Sequence, residues 1–168
     1  MTTTIPTATA GRTIRQIIVD DLKEVLRNMQ DGDPAENVWQ FTFTGDIEDR
    51  DNRSCPFASI DEGTENVIEM YGGCTQKELP IFVHFRFNAP KGVDAHDVFK
   101  YYLGLIQRAF LPLHEDHENF PHLRDIREDS NAHYIINTKD AYTGGTVVFM
   151  VDYEHARNDP YRQAGAPE

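Results

Sequence analysis

From Val147 to Tyr153 the chain reads VVFMVDY. As an extended strand it turns Val147, Phe149 and Val151 to one side and Val148 and Met150 to the other. A strand apolar on both faces sits at the centre of its layer or is half covered on its second side. The fold must therefore bury both sides of this strand, at least in part. Directly after it comes EHARNDPYRQ, charged and turn-forming, in which Asp159-Pro160 is placed to turn the chain away. A strand this strong that runs into polar residues either ends in a dispensable tail or holds a segment out to a partner.

The other elements follow from periodicity. Thr13 and Gln16 form a T-x-x-Q capping box. Ile14, Ile17, Ile18, Leu22, Val25 and Leu26 then recur at helical spacing, and Asp31-Gly32-Asp33-Pro34 is expected to end this helix. NVWQFTFTG alternates Trp39, Phe41 and Phe43 with polar residues, which predicts a strand whose Trp39 is core. FASI and NVIEMY are short strand candidates, and Gly72-Gly73 marks a turn. In LPIFVHFRF, Ile81, Val83, Phe85 and Phe87 share one face and His84 and Arg86 the other. Pro80 fits the entry of that strand, not its centre. Asp94 is an N-cap, with Val93 and Val98 at the positions of a hydrophobic staple. Val98, Phe99, Tyr102, Leu103, Ile106 and Phe110 form the apolar face of a second helix that Pro112 stops. HEDHENFPHLRDIREDSN reads as a polar stretch. HYIINT and TVVFMVDY close the chain as two strands, with Gly144-Gly145 suited to a hairpin turn between them.

Adjacent strands with short turns pair antiparallel. This order predicts an α+β fold, a mainly antiparallel mixed sheet with two amphipathic helices packed on one face. Residues 1–12, rich in Thr and Ala, read as an arm; residues 13–161 as one domain; residues 162–168 as a tail. A chain of 168 residues buries roughly 70% of its unfolded surface, so the core needs no staples. The start lacks a basic leader and an apolar run, and no stretch approaches the length of a membrane span. A reducing cytoplasm and free Cys55 and Cys74 thiols are the expectation.

A net charge of -12 argues against gripping a phosphate backbone, which takes basic residues. It is compatible with a passage through which nucleic acid slides. Chemistry has few footholds. His114, His117 and His122 lie near Glu115, Asp116 and Glu118, but HEDHE is not HExxH, and Pro112 breaks the helix that would align the histidines. Asp46, Glu48, Asp49 and Asp51 form an acidic loop without the glycine a calcium loop needs, interrupted by Arg50 and Arg53. No nucleophile elbow or phosphate loop is present. His84 reads as a surface or packed histidine. No catalytic residue, cofactor or metal is assigned, and the chain is read as a non-enzyme. A small metal-dependent enzyme using the histidine and acidic clusters stays as an alternative.

The pattern resembles the tail terminator (tail completion) proteins of long-tailed bacteriophages. The residues that carry the resemblance are TIRQIIVDDLKEVL, PFASIDEGTE, LPIFVHFRF, DAHDVFKYYLGLIQRAF and the terminal VDYEHARNDPY, spanning residues 13–161. Neck and tail-tube proteins share parts of the pattern. The resemblance implies a structural virion protein that forms a homohexameric ring on the tail tube. The ring ends tube polymerisation and provides the surface that joins the head. It implies contacts with the tube protein and with a head–tail connector or neck protein. DNA would pass through the bore without specific binding, and no membrane is involved. The protein would reside at the head-proximal end of the virion tail, after assembly in the host cytoplasm. On this reading Asp46, Glu48, Asp49 and Asp51 are candidates for the bore. Arg157, Asp159, Pro160 and Tyr161 are candidates for contact with a neighbouring subunit or the tube, since Tyr and Arg are enriched at contact centres. Deleting residues 155–168 is expected to leave a folded protein.

Overall fold

The computed structural model describes residues 11–31, 37–39, 41–44, 55–129, 133–137, 142–157 and 159–161. The first helix, α1 (Ile14–Arg27), opens at Thr13 with both halves of the capping box formed. It ends at Arg27, with Asn28 as the C-cap, four residues earlier than the turn signal suggested. Gly32, Asp33 and Pro34 of that signal lie outside the described residues. The second helix, α2 (Ala95–Phe110), starts as expected at Asp94, whose carboxylate accepts the His96 amide. Pro112 ends it by changing the geometry: a short 3-10 helix, Leu111–Glu115, carries the chain on.

The described strands are β1 (Phe41–Thr44), β2 (Phe57–Glu62), β3 (Asn66–Tyr71), β4 (Cys74–Phe87), β5 (Leu123–Glu128), β6 (His133–Asn137) and β7 (Tyr142–Ala156). Together they make one sheet, antiparallel except for the parallel β1–β2 pair. Its spine is the long β4–β7 ribbon, in register from Cys74↔Ala156 to Phe87↔Thr143. Along the outer side of β4, β3 pairs with the Cys74 end and β2 with the Phe87 end. Along the outer side of β7, β5 pairs nearer Ala156 and β6 nearer Tyr142. The strand with two apolar faces is therefore central, one of the two arrangements that its composition allows.

Alternation decides the core. Leu79, Ile81, Val83, Phe85 and Phe87 of β4 point to one face, alongside Val147, Phe149, Val151 and Tyr153 of β7, and all are buried. Both helices bury their apolar stripes in this same core, α1 through Ile14, Ile18, Val19, Leu22 and Leu26, and α2 through Phe99, Leu105, Ile106 and Phe110. Phe110 stacks on Phe149 with ring centroids 5.1 Å apart. Trp39, just ahead of β1, is core as expected and stacks on Tyr102 at 5.2 Å. The layer arrangement is α+β, as the element order predicted.

Three local expectations need correcting. Pro80 lies inside β4, not at its entry. Its carbonyl accepts from Gly63 at 2.8 Å, so its backbone polar groups face the gap between β2 and β3, and the missing N–H costs the β7 ladder nothing. Gly144 and Gly145 lie in β7, paired with Arg86 and Phe85 on one side and Ile135 and Tyr134 on the other. A Cβ on Gly144 would stand 2.3 Å from the Phe85 carbonyl oxygen, so the glycine permits close backbone approach and forms no turn. The polar stretch after Pro112 contains β5, whose Leu123 and Ile126 are both buried. A register shift between Leu123 and Asp125 turns two residues three positions apart to the same side, which breaks the period-two pattern.

Candidate functional site

One end of the ribbon, where Cys74 pairs with Ala156, gathers the features that the core does not explain. The β3–β4 connection is a two-residue hairpin. Gly72 (φ 47°) and Gly73 (φ 86°) both take the left-handed conformation such a turn demands. Every residue of β3 is exposed. Val67, Ile68, Met70 and Tyr71 stand 51%, 48%, 57% and 39% exposed. Among the described residues only β4 pairs with β3, on one of its two edges.

The C-terminal segment closes over this end. After β7 the chain turns at Ala156, and the Asp159 amide donates to the Ala156 carbonyl at 3.0 Å. The Arg157 amide donates to the Gly73 carbonyl in the hairpin at 2.6 Å. The Pro160 carbonyl accepts the Ile14 amide at 2.9 Å. This last bond satisfies one of the donors that a helix start leaves without an intrahelical acceptor. The Asp159 carboxylate accepts the Tyr161 amide at 3.0 Å. Asp159-Pro160 thus does not turn the chain away; it clasps the segment onto its own α1. What the clasp leaves outward is the side chains of Arg157 and Tyr161, the latter 57% exposed. Among the described residues the Arg157 guanidinium has no ion pair.

Beneath the clasp lies a polar cluster. Lys77 of β4 and Tyr153 of β7 are cross-strand partners on the inner face, and both donate to the Glu65 carboxylate. Arg15 of α1 bonds Glu62 at 2.9 Å and lies 3.5 Å from Glu65. Burial pushes the Glu65 carboxyl up, but the Lys77 and Tyr153 hydrogen bonds and the nearby cations outweigh it and hold it below the usual range. Burial, then the bond to Glu65, raise the Tyr153 phenol well above its ordinary value. At neutral pH one is fixed as a carboxylate and the other as a phenol, so neither is poised for acid–base work. His155 lies one step further along, buried opposite Thr75. Its Nδ1 is 2.8 Å from the Ala156 carbonyl, which can only accept, so Nδ1 donates there and the ring's other nitrogen is Nε2. That Nε2 is buried without a hydrogen-bond partner beside a cavity of about 100 Å³ roofed by Thr13 and Pro160.

Of the candidate contact residues, Arg157, Asp159, Pro160 and Tyr161 come together in the clasp. The bore candidates Asp46, Glu48, Asp49 and Asp51 lie outside the described residues. His114 uses Nδ1 on the Leu111 carbonyl at 2.9 Å. Among the described residues no three His, Cys, Asp or Glu side chains are grouped to hold a metal ion. His84 is a packed histidine, with Nδ1 2.7 Å from Thr146 Oγ1. Both cysteines are free thiols. Two features were missed: the exposure of β3 and the cluster around Glu65. The cluster had a signal, because Lys77 continues the inward-facing series of Leu79, Ile81 and Val83, where a charge demands a partner. The exposure of β3 had a weaker one, the adjacent apolar pairs Val67-Ile68 and Met70-Tyr71, which do not alternate. No protein-family model matches the chain, and no curated protein matches it.

Proposed function

We propose that this chain is a structural virion subunit that joins into a ring on the end of a phage tail tube, ends tube growth there and offers the head its joining surface. One observation carries the reading: β3 stands at a sheet edge with four large apolar side chains about half exposed, beside the hairpin that Arg157 holds. An exposed apolar edge strand is a hazard for a protein meant to stay alone, and natural sheets blunt such edges. Here it is supported instead, by a glycine hairpin whose Gly73 carbonyl accepts from the clasp. A surface that is costly to expose and rigidly presented is a contact surface.

The same observation would serve a tube or neck subunit, so the test must separate the three. Electron microscopy of particles assembled without this protein does so. The terminator reading expects tubes of irregular length that carry no heads. Absence of tubes would make the chain a tube subunit. Tubes of normal length without heads would make it a neck subunit. Normal, infectious particles would end the structural reading altogether.

A further inference from the structure

The ring reading leaves open which surfaces meet, and the sheet narrows the choice. A cyclic assembly needs two different surfaces per subunit, one received by the next copy. Among the described strands, β1, β3, β5 and β6 each pair with one neighbour only. On β4's side of the ribbon lie β3, at the Cys74 end, and β1, beyond β2 at the Phe87 end. On β7's side lie β5 and β6, and β6 sits at the Tyr142 end. β3 and β6 are therefore at opposite corners of the sheet. A contact between them would carry the sheet from one subunit into the next, whereas β3 and β1 lie on the same side and cannot.

Charge selects among the remaining pairs. In a chain with net charge -12, two copies approach most easily through their least charged parts. β3, NVIEMY, has one charged residue, Glu69, and β6, HYIIN, has no acid and one histidine, His133; β1, FTFT, is uncharged too, but of the strands whose burial is described only β3 has every residue exposed. β5 is no match: in LRDIRE, Arg124 and Arg127 already pair with Glu154, Glu78 and Asp152 of their own subunit. Pairing β3 with a second β3 about a two-fold axis would close a dimer and leave no ring.

Resting on the ring reading, we infer that the open edge of β3 receives β6 of the next copy, continuing one sheet from subunit to subunit. Main-chain hydrogen bonds would supply affinity, and the β3 side chains the register. The test is disulfide trapping in the full-length chain with Cys74→Ser as background. One cysteine replaces Ile68, and a second replaces Tyr134, Ile135 or Ile136 in turn. Mild oxidation of concentrated protein should convert the monomer band of at least one double variant into a ladder of linked multimers. Each single variant should stay monomeric on a non-reducing gel. Dimers from Ile68→Cys alone would mean that β3 pairs with itself, and the inference fails. Rings seen by native mass spectrometry without any ladder would overturn this pairing and leave the ring reading standing. Monomers at every concentration, with no ring on tubes, would remove both.

Discussion

Glu65 shows how much can depend on one carboxylate. It accepts from Lys77 and Tyr153 and faces Arg15, so it ties α1, β4 and β7 together at the clasped end. Replacing it with glutamine keeps the shape but removes the charge that three donors use. We expect Glu65→Gln to lower stability at neutral pH by about 1–3 kcal/mol, the range for hydrogen bonds to charged groups. The pH dependence has a definite sign. The folded state holds this carboxyl below its ordinary value, so its contribution is complete above the ordinary carboxylate range and is lost as pH falls through the lowered value. Urea midpoints measured across the acid range should fall less steeply for the variant than for the wild type; parallel curves would mean that the cluster adds nothing. Gly144 makes a sharper case. An alanine Cβ there would meet the Phe85 carbonyl oxygen at 2.3 Å, and backbone in mid-sheet cannot swing aside. Gly144→Ala should cost about 3 kcal/mol, the upper range for overpacking. A variant as stable as wild type would show that β4 and β7 can separate locally at no cost.

At the scale of elements, what was legible was whatever obeys a period or a cap. The stripes of α1 and α2 and the alternation of β4 each announced both an element and its inner side, and the two apolar faces of β7 announced a strand. What was not legible obeyed pairing geometry instead. β5 was hidden because its register shift defeats alternation, and Pro80 was misplaced because a gap between two flanking strands cannot be read from one strand. Gly144-Gly145 carries the composition of a turn while serving a close approach, and only the neighbouring backbone tells these apart. The clasp belongs to this class as well. The candidate contact residues lie together there, and their backbones are bonded within their own subunit. That changes the deletion experiment. Cutting at residue 155 removes part of β7, since His155 pairs with Thr75. Ending the chain after Ala156 isolates the clasp. Losing the bonds of Arg157, Asp159 and Pro160 should lower stability by about 2–3 kcal/mol at roughly 1 kcal/mol per net hydrogen bond. By hydrogen exchange, the Ile14 amide should lose protection while core amides such as those of Ile81 and Phe149 keep theirs. If Ile14 stays protected, the clasp is not what caps α1.

For the whole molecule, the two sides of the sheet divide the labour. The helix-covered side supplies the folded core, and the exposed β3 strand supplies surface that folding does not need. Stability and assembly should therefore separate by mutation. Val67 and Met70 stand 51% and 57% exposed, and neither belongs to the buried core. Changing both to lysine leaves the core and the clasp intact; Val67 pairs across the strands with Lys77, so Val67→Lys also sets two like charges opposite each other, and the loss of stability should stay within about 1 kcal/mol. Lysine is also a residue with which natural edge strands block pairing. On the proposed reading the variant protein should be folded and abundant yet unable to cap tubes. Tail lengths in micrographs should then spread widely and heads should remain unjoined, as when the protein is missing. The comparison with Gly144→Ala makes the result interpretable. That change acts through the fold, so any assembly defect it produces should follow the loss of folded protein. The lysine pair should abolish capping with the folded fraction unchanged. Tails of normal length carrying heads, built with a well-folded Val67→Lys, Met70→Lys protein, would show that the exposed edge of β3 is not where this subunit meets its neighbours.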